Sequence, residues 1–440
     1  MWTAPVFGDD DGEPGYTDGT SFAGRSKNQA WRWNLDYVVD LHGKAMSYWY
    51  TPETNYYAKD GATTGTALYT RGGYLDHILY GQRSDTLFSS VNASDKVQFT
   101  YDERCAAADC SSLTQTTAPN WPDVSFDSIC AKDATCHSDS PEFFARKRLT
   151  KVETFAWNAA ASPAAFAPVD SWALKQEYLD SGDIGNSTDQ TLVLDSITHT
   201  GENGAAITLA PVTFTYQMRA NRVDAPTDDV LPLNRPRIQS VTSETGAITT
   251  VTLSDPEYVR GSNMPAAEGD DTTSCYPVYW HVNGADDATL DWFNKYRVLD
   301  VVTSHPTGHG ETIETSYAYS GPAWHHSDDP LTPAKERTWS EWRGYGTVTA
   351  YAGSAAGTRS KTTTVYLQGM DGDSRKDGTK RTVSVPDISF AGLTVPGQTD
   401  SDQYAGFARE QLSYDGATPV SVSVNNPWSS LTASNWGRSR

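Results

Sequence analysis

The stretch Arg297-Val298-Leu299-Asp300-Val301-Val302-Thr303-Ser304-His305-Pro306-Thr307-Gly308-His309-Gly310, followed closely by Ile313-Glu314-Thr315-Ser316-Tyr317-Ala318-Tyr319, decides the fold. β-Branched and aromatic residues run on both sides of a Pro-Thr-Gly turn, and Ile313, Thr315, Tyr317 and Tyr319 share one parity. Successive strand side chains point to opposite faces, so residues of one parity line one face. Proline sets the backbone for a turn and glycine accepts the left-handed position, so the chain reverses here into an antiparallel partner. One hairpin is marginal in water, so neighbouring hairpins must continue it edge to edge.

The same grammar spreads outward. An arginine, an apolar residue, two variable residues and a valine recur at Arg148-Leu149 to Val152, Arg237-Ile238 to Val241 and Arg297-Val298 to Val301. Val97-Gln98-Phe99-Thr100-Tyr101 matches Val212-Thr213-Phe214-Thr215-Tyr216, with Arg104 and Arg219 three residues further on. Residues 31–40 and 45–50 read as a hairpin around His42-Gly43, and residues 74–81, 172–178 and 192–197 as further strands. Trp31, Trp33, Trp49, Tyr101, Tyr216, Trp280, Tyr317 and Tyr319 then serve the sheet through cross-strand contacts. Residues 143–148 and 291–296 are each expected to form one helical turn. The expected architecture is all-β: a large curved antiparallel sheet of irregular hairpin repeats. Residues 1–24, rich in Gly, Asp and Pro, form an irregular lead, and residues 25–440 one continuous β-rich region with a cysteine loop at 105–136.

Composition agrees. The 440 residues are 38% hydrophobic and 11% aromatic, with 14 Trp and 23 Tyr, which suits half-buried strands rather than helix bundles. A formal net charge of −21 repels phosphate backbones and anionic bilayers, so neither nucleic acid nor a membrane surface is an expected partner. No run of about 18 apolar residues offers a membrane span. Met1-Trp2-Thr3-Ala4-Pro5 has neither a basic nor an apolar leader region, yet the composition reads as extracellular. The expectation is a piece of a larger secreted or cell-surface protein.

The repeated unit Arg-Leu-x-x-Val-Thr, glycine turn, apolar-x-Tyr-x-Tyr resembles the degenerate YD repeat of Rhs-type proteins. Gly24-Arg25-Ser26-Lys27-Asn28-Gln29, Tyr69-Thr70-Arg71-Gly72-Gly73-Tyr74, Cys275-Tyr276-Pro277-Val278-Tyr279-Trp280 and Tyr404-Ala405-Gly406-Phe407-Ala408-Arg409-Glu410 are similar to the region upstream of the repeats in secreted actinobacterial Rhs proteins. The resemblance covers residues 24 to 428, and the order of the motifs is its stronger part. Such families resemble the B/C cocoon of insecticidal Tc toxins, where a spiralling β-sheet encloses a C-terminal toxin. The resemblance implies a structural shell segment, non-catalytic by itself. Its partners would be the remainder of the parent Rhs protein and that protein's C-terminal toxin domain. No Rhs core motif is visible near residue 440, so the autoproteolysis of some relatives is assigned to no residue here.

Cys105, Cys110, Cys130 and Cys136 cluster in a polar stretch while Cys275 stands apart. Two local disulfides in any of three connectivities, free thiols, and a metal site with His137 nearby all remain open from spacing alone. The rival function is a secreted carbohydrate-binding or carbohydrate-cleaving β protein, with cell-surface carbohydrate as partner. Such an enzyme needs paired carboxyls roughly 5–9.5 Å apart. The doublets Asp228-Asp229, Asp270-Asp271, Asp286-Asp287 and Asp328-Asp329 read as solvated loops. Glu341, between Trp339 and Trp342, is the best single catalytic candidate. His325 and His326, Asp371 and Asp373, and the Asp9-Asp10-Asp11-Gly12-Glu13 run are weak metal candidates, the adjacent histidines because they should face opposite ways. His305 and His309, flanking the turn, should be exposed. No cofactor is expected, and no hydrolase, zinc-protease or phosphate-loop motif occurs.

Overall fold

The computed structural model describes residues 1–440 except 90–92, 184–189, 226–227, 309–310, 330–331 and 431–440. Among the described residues there is no α-helix, only short 3-10 turns such as Phe22–Arg25, and the chain is all-β. No helix among them is long and apolar enough to cross a membrane. The chain divides into two compact units, Met1–Phe214 and Thr215–Arg440.

In the first unit, β1 (Trp2–Phe7) pairs antiparallel with β2 (Ser26–Arg32). A strand therefore lies inside the lead segment that composition marks as irregular. Trp2 and Ala4, two apart, are buried, and Ala4 joins Tyr57, Ala67 and Tyr69 in one cluster. Two residues of parity are too weak a signal against a Gly/Asp/Pro background. There follow β3 (Tyr37–Val39), β4 (Lys44–Tyr57), β5 (Ala67–Arg83), β6 (Asp95–Glu103), β7 (Lys147–Asn158), β8 (Ala165–Leu179) and β9 (Thr191–Gly201), each antiparallel to the next. β10 (Ile207–Thr208) and the start of β11 (Val212–Ala220) return onto β9. The hairpin at residues 31–50 is smaller than the alternation suggests. Only Tyr37–Val39 pairs there with β4, and Trp33 lies outside the ladder, largely exposed. The long partner of β4 is β5, with Pro52 opposite Gly73. A Cβ on Gly73 would stand 2.5 Å from the Thr51 carbonyl oxygen, so only glycine permits that approach.

In the second unit, β12 (Asn234–Thr242) pairs with β13 (Ile248–Leu253). The β14 (Tyr276–Trp280) and β15 (Thr289–Phe293) hairpin then leaves the meander. β16 (Val298–Ser304), β17 (Ile313–His325), β18 (Glu341–Ala352) and β19 (Ser360–Tyr366) resume it. A second excursion holds β20 (Ser384–Val385), β21 (Ile388–Phe390), β22 (Leu393–Val395) and β23 (Gln398–Thr399), before β24 (Ala408–Asp415) and β25 (Thr418–Val424) close the order. The stretch quoted first is the β16–β17 pair, with Asp300 opposite Ser316 and Val302 opposite Glu314. Neither expected helical turn forms. Residues 141–146 are irregular before β7, and Asp291 to Phe293 are strand. Six residues cannot separate period 3.6 from period 2, and burial of Trp292 against Tyr258 decides for strand.

The strands themselves are only half-buried. Every residue of β7 and of β18 except the last is intermediate in exposure, on both parities. The apolar clusters instead include the excursions, such as Cys105, Trp121 and Val124 in the first unit, and Val223, Tyr258, Cys275 and Trp292 in the second. Cross-strand hydroxyl pairs stitch the second unit's sheet, Thr249 with Thr303 at 2.8 Å and Thr349 with Thr363 at 3.0 Å.

Candidate functional site

The cysteines settle into an excursion between β6 and β7. Cys105 is bonded to Cys110 and Cys130 to Cys136, with Cα atoms 6.0 and 5.5 Å apart. Both bridges are local, so each tightens one small loop, and their thiols are spent. Apolar packing and polar clamps hold the excursion to the sheet. Trp121 is buried beside Cys105, and its indole Nε1 donates to Glu103 at 3.2 Å. Glu103 also pairs with Arg146 and Lys147 at 3.0 and 2.8 Å. Partial burial pushes the Glu103 carboxyl up, but the Lys147 and Arg146 contacts outweigh it and hold the group below the ordinary glutamate range. Asn55 on β4 accepts from the Cys130 backbone N–H at 2.9 Å and donates to the Ser128 carbonyl at 2.7 Å.

In the second unit the structure brings together four residues that the sequence singles out separately. His325, at the end of β17, sits opposite Glu341, at the start of β18. Its Nδ1 is 3.3 Å from Glu341 and its Nε2 is 3.6 Å from the buried Asp373. Arg343 links Glu341 to Asp402, and Arg381 binds Asp373 at 2.9 Å. Charges of alternating sign thus run Asp402, Arg343, Glu341, His325, Asp373, Arg381. The His326 ring packs edge-on against Trp339, while its backbone N–H donates to Asp373. Asp371 accepts from the Val383 backbone N–H at 2.8 Å. The Asp371-Gly372-Asp373 turn is therefore a clasp whose carboxylates already hold protein donors. Among the described residues, only Asp9, Asp10 and Glu13 bring three ligand atoms within 4.8 Å of one another. Glu13 already accepts from the Asp9 and Asp10 backbone.

Beside the ladder lies a cavity of about 220 Å³. Trp324, Trp339 and Met370, all buried, form its apolar wall, and Glu268, Asp271, Gln368 and Arg381 its polar wall. Glu341 is not among the lining residues. Each wall is fixed from behind. The Trp324 and Trp339 indole N–H groups donate to the Thr273 and Ser374 carbonyls at 3.2 and 2.9 Å. Gln368 donates to the Gly321 and Gly344 carbonyls, and Asp400 holds the Gln368, Gly369 and Met370 N–H groups. Asp271 is asymmetric. Its Oδ1 accepts from the Tyr258 hydroxyl at 2.5 Å, the Thr273 N–H at 2.8 Å and the Thr273 hydroxyl at 2.9 Å, while its Oδ2 is buried without a partner. Burial pushes the Asp271 carboxyl up from the ordinary aspartate range, and the donors on Oδ1 only partly oppose it.

Two residues of the acidic doublets therefore depart from the solvated-loop reading. Asp271 is a cavity wall, and Asp228 binds Arg222. Arg222 is 2% exposed and also meets Asp224 and Asp291, and Asp291 holds Arg260 as well. No pattern in the sequence marks Arg222 as buried. Asp286 and Asp287 are exposed, as is His305, while His309 and the side chain of Asp270 lie outside the described residues. Cys275 is buried and unbridged, and burial pushes its thiol up, away from reactivity. The first unit has its own cavity of about 410 Å³, walled by Trp2, Tyr37, Trp49 and Phe88 among others.

No family model matches the chain, and no curated protein matches it. Solved structures do. The crystal structure of TcdB2-TccC3 is similar over 96% of this chain and 35% of that chain, at 10% identity and a TM-score of 0.38. TcdB2-TccC3-TEV is similar over 96% and 34%, at 10% identity and a TM-score of 0.37. TcdB2-TccC3 without its hypervariable C-terminal region gives 96% and 34%, 11% identity and 0.37. The chain spans about a third of the length of the solved structures it matches.

Proposed function

We propose that this chain is a wall segment of a Rhs-type β-shell, non-catalytic by itself, whose work is to enclose a toxic C-terminal domain of its parent protein. One observation carries the reading. Strands such as β7 and β18 keep both faces half-exposed, as a wall one sheet thick does, whereas a globular domain buries one face of its sheet under a second layer. The Arg-apolar-x-x-Val motif supports it, since at Arg297 it opens a true antiparallel hairpin. On this reading the parent protein is secreted or displayed at the cell surface.

Electron cryomicroscopy of the parent polypeptide, with and without protease treatment, tests the proposal. The expected result is that this segment borders protease-protected density; both sheet faces open to bulk solvent, with nothing enclosed, would overturn it. The enzymatic rival is tested on a panel of plant, bacterial and algal polysaccharides. No release of reducing ends is expected, and release that vanishes in Glu341→Gln would replace the shell reading with a hydrolase.

A further inference from the structure

Among the groups lining the Trp324–Trp339 cavity, Asp271 Oδ2 stands out. Its sister oxygen holds three donors, so the side chain cannot turn without breaking them, and Oδ2 is left buried with no donor. Buried acceptors are nearly always satisfied, and one that is not calls for an incoming N–H or O–H. The charge around it selects the kind of donor. Glu268, Asp271 and, just behind, Asp373 place three carboxyls against one guanidinium, Arg381, which is already bound to Asp373. The indole N–H groups of Trp324 and Trp339 are committed to backbone carbonyls, so these residues offer the cavity ring surface, which attracts cations. An anion would meet this carboxyl excess, and a quaternary ammonium would have no N–H for Oδ2. The chain's net charge of −21 raises the local concentration of cations further.

We propose that this cavity binds a primary alkylammonium group, the head of a lysine side chain or of a free polyamine, with Asp271 Oδ2 and Glu268 accepting its N–H bonds and Trp324 and Trp339 packing along its alkyl stem. The site is independent of the shell reading, since it requires only the second unit's own residues. A volume of about 220 Å³ holds such a head and stem but not an extended polymer.

Isothermal titration calorimetry on the full chain tests it, with cadaverine, Nα-acetyl-lysine methylamide, tetramethylammonium and methyl β-glucoside as probes. One-to-one binding of cadaverine or of the lysine amide is expected, with at least a tenfold loss in Asp271→Asn and in Glu268→Gln and no change in the exposed control Asp286→Asn. Preference for the lysine amide identifies a protein side chain as the source, and preference for cadaverine a free polyamine; both uphold the site. Three results would overturn it: neither amine binding at millimolar concentration, equal binding of tetramethylammonium, or preferential binding of the glucoside. Should Asp271→Asn not fold, Glu268→Gln decides the question, and amine binding unchanged in that variant sinks the proposal.

Discussion

Both units let a long segment leave the meander and return to the adjacent strand, residues 104–146 between β6 and β7 in the first and residues 254–297 between β13 and β16 in the second. The first excursion is fastened by two disulfides and by an apolar cluster around Trp121. The second also has an apolar cluster, around Trp292, but its only cysteine is unbridged, and its fastening is the buried pair of Arg222 and Asp291 with Arg260 alongside. A bridge works mainly on the unfolded chain, by removing loop entropy, so it tolerates loose native packing. A buried ion pair works only in the native state, and each charge becomes a liability once its partner is gone. The two regions should therefore fail under different insults.

The largest effect is expected from Asp291→Ala. It strands the buried Arg222 guanidinium and should cost about 3–5 kcal/mol. Hydrogen exchange should show the loss at Val223 and Trp292 and leave the first excursion protected. Equal loosening of both regions would break the contrast. Next comes removal of the bridges. Cys130→Ser with Cys136→Ser closes no loop of more than a few residues, so it should cost roughly 2 kcal/mol. Urea unfolding followed at Trp121 against Trp292 checks that the cost falls on the first region, and a reductant should reproduce it.

Acid provides a finer cut. Glu103 is held below its unfolded value, so its contribution is complete above an unfolded glutamate pKa of about 4.3 and is lost as pH falls through the lower folded value. Glu103→Gln should flatten that acid loss in the first region. Asp271 has the opposite sign. Its folded value is raised, so the folded state binds more protons and stability rises as pH falls from that raised value toward about 3.9. Asp271→Asn should accordingly stabilise the second unit slightly near neutral pH, the smallest of these shifts, and remove its acid gain. Thermal melts between pH 4 and 8 compare the two slopes; slopes of the same sign would show that the two carboxyls do not sit in opposite environments.

Period-two alternation and the Pro-Thr-Gly reversal were enough to read the β16–β17 hairpin, the strand character of β6 to β9 and the all-β class, because a pleated strand exposes its parity in the residues themselves. The clustering of the four cysteines was equally plain, though their partners were not. Tertiary structure alone decided where the excursions fold back, and with them the candidate site. Arg222 and Asp291 lie 69 residues apart, and His325 reaches Asp373 only because the segment after β19 returns beneath β17. Asp271 carries the same letters as the exposed Asp286 and Asp287 doublet, yet Tyr258 and Thr273 close over it. Whether a charged side chain is solvated or buried is set by groups distant in sequence, and no local pattern encodes that desolvation.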